Sequence, residues 1–243
     1  GLFKKIVIAD TLSINVDDGF NNYLELNFVE SWIISLSFTL QIYFDFSGYI
    51  DMATGSAILF NIRLPQNFDS PFKASSLINF WHRWHITLFK FLMNYIYFPW
   101  IRSLKKITYS KAMFVTFCVF IISGIWHGPT WGYVMFGILH GVGLIINHTF
   151  IRLNLFKIPS FVGWFLTMFW VNLTQIFFRS KDLDTAIYIS KSIFGLNGFE
   201  FKTNLLNDYL ILSASITALI IVFCFKNTNY LIENHFKNNN SKI

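Results

Sequence analysis

Charge is scarce in this chain. Asp, Glu, Lys and Arg make up 13% of it, against about one quarter in soluble domains, which excludes an ordinary soluble fold. Cysteine is scarcer still. Cys118 and Cys224 both lie inside apolar runs, so buried free thiols are expected and a disulfide framework is excluded. Neither stands in a polar setting and no Gly-x-Ser-x-Gly elbow occurs, so a covalent acyl-enzyme has no support. Glycine loops for phosphates or dinucleotides are missing too, which removes the common nucleotide-dependent classes. The apolar runs are continuous and do not alternate, which argues against a β-barrel.

What is abundant is hydrocarbon and aromatic surface. The chain is 54% hydrophobic with 30 Phe and 8 Trp, and its mean hydropathy is +0.48. This composition predicts an all-α fold, a polytopic membrane helix bundle with short re-entrant or interfacial helices around a central channel. The net charge of +6 is spread over helix ends and not gathered on one soluble face, so it reads as interfacial anchoring and not as a nucleic-acid surface. No signal peptide is evident. Residue 1 is Gly and the first residues read as the end of a membrane element, so an N-terminal portion is expected to be missing.

Taken in order, Lys4-Lys5 reads as an anchor at a membrane face, and residues 10–30 as an exposed polar loop. Residues 31–46 form the first clear span, ending in a stretch with Asp45 and Asp51. Helix capping at an interface is the plain reading of those carboxylates; polar support for a site is the functional one. Residues 52–62 are too short to cross about 30 Å of hydrocarbon and predict a re-entrant or interfacial helix. A polar loop follows to residue 76, then an aromatic segment, 79–101, lying at or dipping from the interface. The basic connection 102–111 is expected to be cytoplasmic. Further spans are predicted at 112–125, 131–147, 161–178 and 209–225, with an amphipathic segment at 186–194 and interhelical hydrogen bonds from Asn172, Thr174 and Gln175. The domain reading is one membrane domain over 1–225 and a polar, mobile tail over 226–243.

The stretch Gly124-Ile125-Trp126-His127-Gly128-Pro129-Thr130-Trp131 places a histidine between two apolar spans, with Gly124, Gly128 and Pro129 interrupting the helix. An ionisable group at membrane depth is costly unless it meets a partner or a water-filled cavity. His127 is therefore the leading candidate for a general base; a histidine bridging two helices is an equally natural reading of the residue type alone. His82 and His85 lie three apart, which on one helix puts them on one face. Without a nearby acid or cysteine they make a weak metal pair, and His85 is the more buried of the two. His140, between glycines, favours a structural hydrogen bond, His148 an interfacial role, and His235 a solvated one. The residues alone reach a membrane site built on histidine and go no further.

Several separated motifs, in order, resemble one family. Gln41–Ala53 (QIYFDFSGYIDMA), Leu64–Phe68 with Ser70-Pro71, Phe80–Thr87 (FWHRWHIT) and Gly124–His127 with Leu139-His140-Gly141 are similar to the membrane-bound O-acyltransferases. The nearest likeness is to the bacterial branch typified by alginate O-acetyltransferase, and it covers roughly residues 1–195. The opening Gly1–Lys5 and Phe178-Arg179-Ser180 fit the same branch. The resemblance implies transfer of an acyl group, above all acetyl, to hydroxyls of an extracytoplasmic envelope polysaccharide.

It carries His127 over as catalytic histidine and His85 as second histidine, with supporting roles for Asp45, Asp51, Arg83, Trp84, Trp126 and His140. It further implies no bound cofactor and no metal, an acyl donor (acetyl-CoA or an acyl-carrier thioester) as co-substrate, a possible extracytoplasmic partner acyltransferase, and a multi-pass place in the bacterial inner membrane. The sequence departs from the family's pattern at His82, where arginine is expected, at Met93-Asn94, where Arg-Asp is expected, and in the shortened loop 101–106. Two other readings are D-alanyl transfer to teichoic acid and a glycan or lipid transporter with a histidine proton relay.

Overall fold

The computed structural model describes residues 1–154, 156–199 and 209–232. Among these residues all regular structure is helical. The chain opens on a π-helical turn, Phe3–Ala9, that runs straight into α1, Asp10–Asn21. The loop expected over residues 10–30 is thus mostly helix. Leu12, Val16 and Phe20 recur every four residues and are all buried, a stripe that outweighs the polar residues between them.

Helix α2, Phe28–Leu59, is 32 residues long, on the order of 48 Å at 1.5 Å per residue. It absorbs both the predicted span 31–46 and the predicted short helix 52–62, so the latter is no re-entrant element. Asp45 and Asp51 therefore lie inside a helix and cap nothing. The helix tolerates them because each has a cation from the preceding turn: Lys5 Nζ is 2.9 Å from Asp45 and Lys4 Nζ 2.8 Å from Asp51. The two lysines fasten the first turn to α2. Along its buried side α2 carries Ser31, Ser35, Ser37, Thr39 and Ser47, small side chains that let neighbouring helices approach closely.

A loop with a short turn at Pro71–Lys73 leads to a chain of short helices: α3 (Leu77–Trp81), α4 (Ile86–Leu92), a π-helical turn (Met93–Tyr97) and α5 (Phe98–Ser103). This is the aromatic segment predicted at 79–101, broken where the sequence suggested one helix. His85 has φ +44°, in the left-handed region, and the chain turns there before α4 begins. His82 and His85 consequently do not share a helix face.

Helices α6 (Tyr109–His127), α7 (Trp131–Leu153) and α8 (Ser160–Arg179) are each long and apolar enough to cross a membrane. Helices α6 and α7 pack against each other along their length. A Cβ on Gly137 would strike the Phe120 carbonyl, and one on Gly124 the Tyr133 carbonyl, so glycine at these places sets the separation of the two backbones. Gly124 does not interrupt α6. The break is confined to residues 128–130, where Gly128 adopts φ +155°.

Helix α8 joins the bundle through polar groups, as its sequence suggested. Asn172 Nδ2 donates to Ser35 Oγ at 2.9 Å and its Oδ1 accepts from Thr39 Oγ1 at 2.9 Å, both on α2. Helix α9, Leu183–Ile193, is capped by Asp182, which accepts from the Thr185 N–H at 2.8 Å. Helix α10, Tyr209–Cys224, follows, and residues 228–232 are helical again. The tail expected from residue 226 starts differently: Asn227 donates to Asp69, Asn229 to the Phe68 carbonyl and Thr228 to Asp51, so residues 226–232 are docked. Residues 233–243, His235 among them, lie outside the described residues. Both cysteines are free, but Cys224 is exposed and not buried.

Candidate active site

A cavity of about 240 Å³ opens where α2, the α3–α4 turn, the end of α6 and the start of α7 meet α8. His85 enters it from the left-handed turn and His127 from the last residue of α6. The two imidazoles line the same cavity. The rest of the wall is hydrocarbon and aromatic: Ile42, Phe46, Trp81, Trp84, Leu88, Trp126, Phe136 and Phe178, with one amide, Gln175.

Ring contacts hold the imidazoles in place. His127 meets Phe178 edge-on at 5.0 Å and Phe136 at 6.0 Å, and His85 meets Phe46 at 4.8 Å. Nδ1 of His85 is buried with no hydrogen-bond partner among the described residues. A cavity like this can hold an uncharged acyl group and present nitrogen to it as proton acceptor or donor.

His127 sits at the tip of the α6–α7 hairpin and not midway along a span. Trp126 and Trp131 flank the tip and are 63% and 71% exposed, the placement expected of aromatic side chains at a membrane interface. A second cavity, of about 480 Å³, lies further back along α6, lined by Met113, Thr116, Val119 and Phe120 with Lys90, His82 and His148. Trp81 belongs to the walls of both. The spread from Met113 to His127 along α6 is roughly 21 Å.

Other candidate residues fall into three groups. Trp84 and Trp126 line the histidine cavity. His140 stands behind it, fully buried: the Trp81 indole donates to its Nδ1 at 3.2 Å, and its Nε2 lies 2.9 Å from Thr174 Oγ1. An indole can only donate, so Nδ1 accepts, Nε2 carries the proton, and Thr174 passes its own to the Val171 carbonyl. Bridging α3, α7 and α8, His140 fixes the wall of the site.

Asp45, Asp51 and Arg83 are elsewhere. The two aspartates pair with lysines at the start of the chain, and Arg83 binds the Asn79 side chain at 2.9 Å and the Asp69 carbonyl at 3.1 Å. Their motif positions matched; their side chains serve packing. His82, set beside His85 by spacing, packs on Phe89 and lines the second cavity, as does His148. Among the described residues no group of three His, Cys, Asp or Glu side chains could hold a metal ion.

The sequence reading assigned Gln175 only an interhelical bond, and did not single out Trp81 or Phe178 as wall residues. An amide three residues beyond Asn172 in an apolar span was the available signal for the first. Gln175 and Phe178 lie three apart on α8, which puts both toward the same cavity.

Comparison with known proteins bears directly on this arrangement. The family model described as MBOAT, membrane-bound O-acyltransferase family, matches residues 1–179, which include both cavity histidines. The chain belongs to that family. This member of the family is 39% identical, over 97% of its length, to the peptidoglycan O-acetyltransferase of Helicobacter pylori, covering 48% of that protein. It is 33% identical, over 92% of its length, to the protein of Pseudomonas syringae named "Probable alginate O-acetylase AlgI", covering 42% of it. A teichoic acid D-alanyltransferase of Streptococcus thermophilus is 34% identical over 46% of the chain and 28% of that protein. The chain spans about half the length of the curated relatives it matches most fully.

Proposed function

We propose that this O-acyltransferase chain transfers an acetyl group from a thioester donor to a hydroxyl of an extracytoplasmic envelope polysaccharide. The observation that carries the reading is the meeting of His85 and His127 in one largely apolar cavity, from elements more than forty residues apart in sequence. His127 Nε2 or Nδ1 takes the proton of the acceptor hydroxyl as its oxygen attacks the acyl carbon. His85 donates a hydrogen bond to the carbonyl oxygen as charge builds there. The C–S bond then breaks, and the leaving thiolate recovers the proton from His127. Atoms and charge balance with no bound cofactor; acetyl-CoA or an acyl-carrier thioester serves as co-substrate.

The two cavities give the donor and acceptor separate approaches. The larger one leads toward the basic connection 102–111, on the side assigned to the cytoplasm, and its Lys90 suits an anionic donor. The smaller one opens at the hairpin tip, where a polysaccharide or a partner acyltransferase outside the inner membrane would meet it. Acetyl fits better than D-alanyl for a physical reason. No carboxylate lines the histidine cavity, so an alanyl ammonium would stand there uncompensated. The extent of similarity to the peptidoglycan and alginate proteins points the same way.

The test is His127→Ala in the intact protein, with membrane expression matched to the parent. Loss of general-base assistance lowers ester formation about 10²–10⁴-fold, read as acetyl content of envelope polysaccharide by mass spectrometry. Unchanged acetylation refutes the assignment. An alanyl mass on the parent's product transfers the reading to D-alanylation, and loss of exported glycan with no ester on the parent's product favours a transporter.

A further inference from the structure

Helix α8 carries three polar side chains within four residues, and two of them are fully occupied. Asn172 bonds to Ser35 and Thr39, and Thr174 to His140 and the Val171 carbonyl. Gln175 differs. It is 4% exposed, it lines the cavity shared by His85 and His127, and its Oε1 has no hydrogen-bond partner among the described residues. Buried carbonyl oxygens are rarely left unpaired in native proteins, because losing water without a replacement is unfavourable.

On the basis of the acyl-transfer reading, we infer that Gln175 is a substrate-binding residue whose Oε1 accepts a hydrogen bond from the acceptor saccharide. The donor of that bond is an O–H or N–H neighbouring the hydroxyl that is acylated. Two chemical facts select this partner. An acetyl thioester presents a carbonyl oxygen, a sulfur and a methyl group at its reacting end, none of which donates. The attacking hydroxyl has one proton, and His127 takes it. An unpaired acceptor oxygen in the same cavity is therefore matched by a second donor on the saccharide. Gln175 then sets which hydroxyl of the sugar faces His127, since the two contacts together fix the ring's orientation.

The inference predicts a selective loss. In the intact protein, Gln175→Leu removes the acceptor oxygen and leaves similar volume, and because no protein hydrogen bond is lost the fold keeps its thermal stability. Transfer to the oligosaccharide the parent acylates falls roughly 5- to 100-fold in kcat/KM for the acceptor, while KM for the donor holds. Gln175→Met, unbranched and of the same length, gives the same result should Leu lower expression.

Deoxy analogues of that oligosaccharide, each lacking one hydroxyl beside the acylated one, supply the discriminating arm. One analogue is a poorer acceptor for the parent and no poorer than the full sugar for Gln175→Leu. Normal acceptor kinetics in both variants overturn the inference, as does a loss confined to donor KM, or a drop in stability with acceptor KM unchanged. A parent protein that acylates no saccharide overturns the acyl-transfer reading itself, a result told apart from these by the parent alone.

Discussion

The Trp81–His140–Thr174 chain of hydrogen bonds offers a sharp stability experiment, because its proton positions follow from chemistry. Trp81→Phe keeps an aromatic ring against Phe120 but removes the donor to His140 Nδ1. His140 is 1% exposed, so water does not replace the lost partner. Leaving a buried acceptor unpaired costs about 1–3 kcal/mol, and trimming indole to phenyl adds roughly 1 kcal/mol of lost packing.

For a chain of this size each kcal/mol moves Tm by about 2–4 °C, so Trp81→Phe lowers it by roughly 4–16 °C. Heat-induced loss of monodisperse protein in detergent reads this directly. Thr174→Val, nearly the same shape, removes the acceptor of the Nε2 proton and costs about 1–3 kcal/mol in turn. Both act on one imidazole. Once either partner is gone the ring is free to change tautomer or rotate, so the double variant is less destabilised than the sum by about 0.5–3 kcal/mol. A Trp81→Phe protein melting within about 1 °C of the parent refutes the network. So does full additivity.

Two further expectations concern residues that the family motifs single out and the structure assigns elsewhere, or that only the structure brings forward. Asp45→Ala breaks an ion pair that is half exposed, of a kind worth about 0–1 kcal/mol; acyl transfer stays within about twofold of the parent, and a hundredfold loss would return Asp45 to the site. Asp182→Ala removes the cap of α9 and lowers stability by roughly 0.5–2 kcal/mol in a melting assay. The Thr185 N–H, which donates to it, holds the Asp182 carboxyl below its ordinary value. A depressed carboxylate stabilises the fold above the pKa of the unfolded chain, near 3.9, and loses that contribution as pH falls through the folded value. The variant and the parent therefore converge in stability once pH falls below that depressed value; a gap that persists there is inconsistent with a charged cap.

How far the sequence carried depended on the kind of signal each part left. Long apolar spans are the strongest signal in a membrane chain, so α6 and α8 were legible to within three residues of their ends, while α7 runs six residues past the expected 147. The polar α1 was not, because Leu12, Val16 and Phe20 form a stripe of three residues among Asn and Asp. The continuity of α2 through Asp45 and Asp51 was hidden for a related reason. Charge inside an apolar helix suggests an end, and the lysines that neutralise it stand forty residues earlier. The break at His85 left no local mark: no glycine or proline stands there, and a left-handed histidine is held by its surroundings and not by its type.

That last point explains why the candidate site was legible as residues and not as geometry. His127 and His85 could each be nominated from motifs, but a shared cavity requires three independent placements. The left-handed turn swings His85 off the face it would have shared with His82, which sends the two rings into different cavities. The glycine contacts of α6 with α7 bring the hairpin tip close enough for His127 to meet Phe136. The bonds of Asn172 and Thr174 then fix the rotation of α8, and that rotation carries Phe178 onto His127 and Gln175 into the same space. A helix pinned at two successive positions has little freedom at the third. The place of Gln175 in the cavity wall is thus set by neighbours whose side chains bond to other helices, while its own Oε1 has no partner among the described residues.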